Sequence, residues 1–101
     1  MSEKENDQSY LSGNFKNEIS TIRKLIKNKR YTQAAQQASR LLFLDPSQKD
    51  AFYYRAIAYA NMCDIHSALL DMQRVIELEP LNTRAAAWCA SLNFNEGLLL
   101  Q

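Results

Sequence analysis

Apolar side chains recur along this chain in runs that keep helical spacing, and each run ends at a polar break or a proline. The first run holds Phe15, Ile19, Ile22, Leu25 and Ile26, positions that fall on one side of a helix. Asn14 precedes it and offers a capping side chain for the helix start. The polar stretch KNKRY interrupts the pattern, and Tyr31, Ala34, Ala35, Ala38, Leu41, Leu42 and Leu44 then form a second stripe. That helix is expected to stop at Asp45-Pro46, because a residue before proline is pushed away from helical angles. Ser47-x-x-Asp50 reads as a capping box that opens a third helix running to about Asn61. After the break MCDI, the residues Ile65, Ala68, Leu69, Met72, Val75, Ile76 and Leu78 make a fourth stripe that ends at Glu79-Pro80. Asn82 is placed to cap a fifth helix. Residues 1–14 are polar and read as a disordered leader, which leaves 15–101 as one helical domain. Only two glycines and two prolines are present, too few for the many turns of a β-protein, so the expected class is all-α with about five helices.

Sliding the sequence against itself by 34 residues aligns Ala34 with Ala68, Arg40 with Arg74, Leu44 with Leu78 and Pro46 with Pro80. Ala51 with Ala85, Ala56 with Ala90 and Asn61 with Asn95 complete the matches, and acidic Asp45 pairs with Glu79. Residues 49–82 supply Phe52-x2-Arg55-Ala56-x2-Tyr59, then Ala68-x3-Met72, then Pro80. This series resembles the tetratricopeptide repeat family, whose pattern is aromatic, leucine, small, aromatic, then alanine, bulky apolar and proline. Arg55 is the departure, standing where the family has leucine. Residues 15–48 form a weaker copy, and 83–101 begin a third in which Ala86 and Asn93 replace both aromatics. The resemblance implies a right-handed α-solenoid of antiparallel helix pairs, with two repeats plus a truncated third or solvating helix. It also accounts for the alanines, since stacked helix pairs approach closely only where side chains are small, and each pair needs its neighbour to bury its apolar face.

Composition removes several functions. The formal charge of +1 gives no basic field for nucleic acid, and no apolar run is long enough to span a membrane. The N-terminus lacks a secretory signal. Cys63 and Cys89 lack metal-ligand spacing and read as reduced thiols of a cytoplasmic, intracellular protein. His66 is the lone histidine and is expected at the surface, so neither a zinc site nor a histidine base for Ser67 or Ser91 is in prospect. Glu77 and Glu79, two apart on a helix, do not face each other. No enzyme activity, metal or cofactor is expected.

In proteins similar to this family, the first helix of each pair lines a concave groove that accepts a peptide or a helix. Carried over, the resemblance places Lys16 and Arg23 in the groove from the first helix. The third helix contributes Asp50, Tyr53, Tyr54, Ile57, Ala60 and Asn61, and the fifth contributes Arg84, Trp88 and Asn95. The third helix already has Phe52 and Tyr59 for its core, so Tyr53 and Tyr54 are surplus aromatic area of the type enriched at binding hot spots. Lys16, Arg23 and Arg84 favour an acidic or carboxylate-bearing protein segment. The family subset that clamps the terminal carboxylate of chaperones is a poor match. Its positions are held here by Ile19, Arg23, Tyr54, Arg84 and Trp88, and only Arg84 agrees in kind. Leu98, Leu99 and Leu100 are a second candidate surface, for self-association as a homodimer or an assembly subunit. A further alternative is the targeting portion of a larger enzyme.

Overall fold

The computed structural model describes the backbone of residues 15–100 and the side chains of 15–91. The expected leader 1–14 and the cap at Asn14 lie outside these residues. The described chain is all-helical: α1 (Lys16–Lys27), α2 (Tyr31–Leu44), α3 (Lys49–Asn61), α4 (Ile65–Leu78) and α5 (Thr83–Leu100). Each helix packs on the next, and α1 also packs on α3. None of the described helices is long and apolar enough to cross a membrane.

The repeat seen in the sequence is a repeat of backbone geometry. α1 ends with Lys29 at φ 63, and α3 ends with Cys63 at φ 66, two residues 34 apart. Around the first, the Arg30 amide donates to the Leu25 carbonyl at 2.8 Å and the Lys29 amide to Ile26 at 2.9 Å. Around the second, Asp64 donates to Tyr59 at 2.9 Å and Cys63 to Ala60 at 3.1 Å. Both are the paired bonds of a left-handed C-terminal cap, which satisfies carbonyls the helix end would otherwise leave open. The turns between repeats match as well. Asp45 and Glu79 are extended, at φ −147 and φ −144, and their amides close α2 and α4 onto Leu41 and Val75. The Gln48 and Asn82 side-chain amides donate back to those two acids, each at 2.9 Å.

The helix starts depart from expectation in two places. Phe15, not an asparagine, occupies the position before α1; it has no acceptor to offer and is buried in the core instead. The capping box at Ser47 does not form. Ser47 turns back and donates its amide (3.1 Å) and hydroxyl (2.6 Å) to Asp45, so Gln48 takes the position before α3 and no side chain caps the helix. The Ser47 hydroxyl, and after it the Gln48 amide, hold the Asp45 carboxyl below its ordinary range. Asn82 does cap α5, its Oδ1 accepting from the Ala85 amide at 3.0 Å.

Alanine makes up much of the core: Ala34, Ala38, Ala51, Ala56, Ala68 and Ala85 are fully buried. Ile22, Met72 and Val75 are the largest side chains with no exposure, and Phe52 closes the space between helices. Leu44 and Leu78, expected on the apolar faces, are 61% and 38% exposed. Each is the last residue of its helix, where the chain turns away at the acid-proline step and nothing lies over it. Ala90, the counterpart of Ala56, is exposed because no described helix follows α5.

Arg55 is the feature that binds the stack. Its Nε and Nη2 donate to Asp71 Oδ2 and Oδ1 at 2.7 and 2.8 Å, and Nη1 donates to Ser39 Oγ at 3.0 Å. Asp71 is only 4% exposed, the one buried charged residue in the described core. The guanidinium lies 5.7 Å from the Phe52 ring and 5.6 Å from Tyr59, and Arg74 covers Phe52 at 5.6 Å. The Asp71 hydrogen bonds raise the Arg55 pKa, keeping it a permanent cation. No buried side-chain nitrogen or oxygen among the described residues lacks a partner.

Two measurable outcomes follow. Asp71→Ala leaves Arg55 without its counter-ion and should lower stability in urea by about 3 kcal/mol, whereas Arg55→Leu with Asp71→Leu should restore most of the loss. Lys29→Gly and Cys63→Gly relieve a left-handed residue with a side chain, and each should raise stability by roughly 0.5–1 kcal/mol in the same assay.

Candidate functional site

Helix α3 has two working faces. Phe52, Arg55, Ala56 and Tyr59 follow helical spacing and look into the stack, while Asp50, Tyr53, Tyr54 and Ile57 follow the same spacing on the other side. Tyr53 and Tyr54 are half-buried, with rings 5.4 Å apart at 76°, an edge-on contact that leaves ring area facing outward.

Two adjoining hollows flank this face. The first, about 540 Å³, lies between α1 and α3 and brings together Lys16, Ser20, Arg23, Asp50 and Tyr54. The second, about 390 Å³, lies among α3, α4 and α5 and is bordered by Asp50, Tyr53, Tyr54, Glu79, Leu81 and Arg84. Tyr54 and Asp50 are common to both, so the hollows form one trough with those two residues as its dividing ridge. Lys16, Arg23, Tyr53, Tyr54 and Arg84 are therefore assembled along one trough. Ile57 is half-buried, and Asn61 folds back so that its Nδ2 donates to the Ile57 carbonyl at 2.8 Å; neither is among the side chains that border the two hollows of the trough. Trp88 borders a separate hollow of about 260 Å³ with Ala87 and Ser91. The side chains of Asn95, Leu98, Leu99 and Leu100 lie outside the described residues.

The trough is not uniformly basic. Asp50 contributes a carboxylate to both hollows, and Lys49 and Glu79 add opposite charges to the second. Glu79 is partly engaged, since it accepts the Asn82 amide. The lining therefore offers aromatic faces, hydroxyl and amide groups and charges of both signs.

Sequence reasoning missed a larger hollow of about 690 Å³ between α2 and α3, on a different face of α3, bordered by Gln36, Ser39, Arg40, Phe43, Tyr59 and Met62. Phe43 is 88% exposed there, and the Thr32 hydroxyl contacts Met62 Sδ at 3.4 Å. The available signal was Phe43 itself, an aromatic that falls off the apolar stripe of α2. Both cysteines are free; Cys63 is exposed, and burial pushes the Cys89 thiol above its ordinary range, away from reactive thiolate. His66 is exposed, and no cluster of three or more His, Cys, Asp or Glu gathers among the described residues. No protein-family model matches this chain.

Proposed function

We propose that this chain is a protein–protein interaction module of tetratricopeptide type, which captures a peptide segment or short helix in the trough on α1, α3 and α5. In this reading the helices pair antiparallel into a right-handed solenoid of two repeats and a half. The caps and turns that recur 34 residues apart, and the alanines buried at the contacts, support the repeat. The observation that carries the function is the pair Tyr53 and Tyr54. The core already has Phe52, and these two rings remain half-buried on the trough side, beside the charged side chains of Asp50 and Arg84. Aromatic rings next to open polar groups give large contact area at small entropic cost, the composition of an interface anchor.

Affinity capture from a cell lysate, with wild type beside Tyr54→Ala and Trp88→Ala chains of matched helicity, tests the assignment. Tyr54→Ala should weaken capture of the wild-type partner about thirtyfold, the scale of a hot-spot truncation. Trp88→Ala reports whether the separate hollow on α5 takes part. An unchanged set of partners on the Tyr54 variant contradicts the trough as the binding face.

A further inference from the structure

Lys16, Asp50 and Arg84 occupy the same register of three successive repeats, 34 residues apart. All three stand in the first turn of their helices, α1, α3 and α5. Lys16 and Asp50 border the first hollow, and Asp50 and Arg84 border the second. The charge along the trough thus alternates, positive, negative, positive, at one-repeat steps, with Arg23 reinforcing the first positive position.

Helix stability explains only the middle charge. The first turn of a helix favours a carboxylate and opposes a cation by about 0.3–1 kcal/mol. Lys16 and Arg84 therefore stand at the disfavoured end of their helices. Neither Asp50 nor Arg84 takes part in the ion pairs Arg55–Asp71 and Arg74–Glu77, so helix-to-helix pairing of that type does not account for them.

We propose that the trough recognises a peptide segment carrying acidic, basic and acidic side chains in that order, the first two about three residues apart, and that Asp50 sets this order. This rests on the trough being the binding face. α1 packs on α3; packed helices lie roughly 8–10 Å apart and an extended chain rises roughly 3.3 Å per residue, so about three residues carry a ligand from Lys16 to Asp50, and Arg84 stands further on, across the second hollow. Asp50 accepts the central basic side chain and repels a continuous run of acids, which Lys16, Arg23 and Arg84 alone would attract.

Selection of a random dodecapeptide display library on the full chain tests the order. The enriched peptides are then measured on wild type, Asp50→Asn, Asp50→Lys and Tyr54→Ala. Wild type should enrich acid-x-x-base followed by a further acid. Asp50→Lys should weaken those peptides by about tenfold and tighten their all-glutamate analogues, with Asp50→Asn between the two. If both Asp50 variants lower the melting temperature but leave peptide preference unchanged, Asp50 serves only the helix and the proposal is overturned. Enriched peptides that need Tyr54 but show contiguous acids, or no charge order, overturn the order and leave the trough standing. Peptides indifferent to Tyr54→Ala, or no enrichment at all, overturn both.

Discussion

The bidentate pair between Arg55 and Asp71 is the interaction on which the arrangement of this chain turns. A carboxylate this deeply buried is tolerable only when charge and geometry are both matched, and here both oxygens are met by one guanidinium at 2.7 and 2.8 Å. The same guanidinium reaches Ser39, so one side chain on α3 ties α2 to α4. Such a contact requires helices that approach closely, and the fully buried alanines of α2, α3 and α4 permit it. Neither device is useful alone. Small residues bring the backbones near without fixing rotation or register, and the ion pair fixes both.

That fixation extends to the candidate binding face. Phe52, Arg55 and Tyr59 share one side of α3, with the guanidinium between the two rings. Holding Arg55 on Asp71 sets the rotation of α3 about its axis, and helical spacing then delivers Asp50, Tyr53 and Tyr54 to the opposite side. The tyrosines are consequently held by the scaffold, and under the proposed function this preorganisation reduces the ordering cost of binding. A ligand-facing aromatic on a rigid helix is a more exact instrument than the same residue on a loop.

Much of this could be read before the structure. Helix number, the acid-proline stops and the 34-residue offset were legible because each depends on neighbours in sequence, and the apolar stripes gave the core faces of α1, α2 and α4. What could not be read depends on neighbours in space. Arg55 was visible as a departure from the family pattern, yet its partner lies sixteen residues away on another helix, beyond any local rule. Ser47 satisfied a capping-box pattern, but the Asp45 carboxylate two residues back competed for it and won. Leu44 and Leu78 kept the right spacing and still lost their cover, because periodicity does not say where the facing helix ends. At the site, Lys16, Arg23 and Arg84 suggested a basic groove; the opposing sign of Asp50 mattered only once it was seen to border both hollows.

Linked through Arg55, the two helix pairs should behave as one cooperative body. Native-state hydrogen exchange on the full chain examines this directly, because it resolves opening free energies helix by helix. The slowest amides of α2, α3 and α4 should exchange with a common free energy equal to that of global unfolding, and Asp71→Ala should lower all of them together. If α2 opened with a distinctly smaller free energy than α3 and α4, or if only α4 responded to the substitution, the ion pair would not be the tie between repeats.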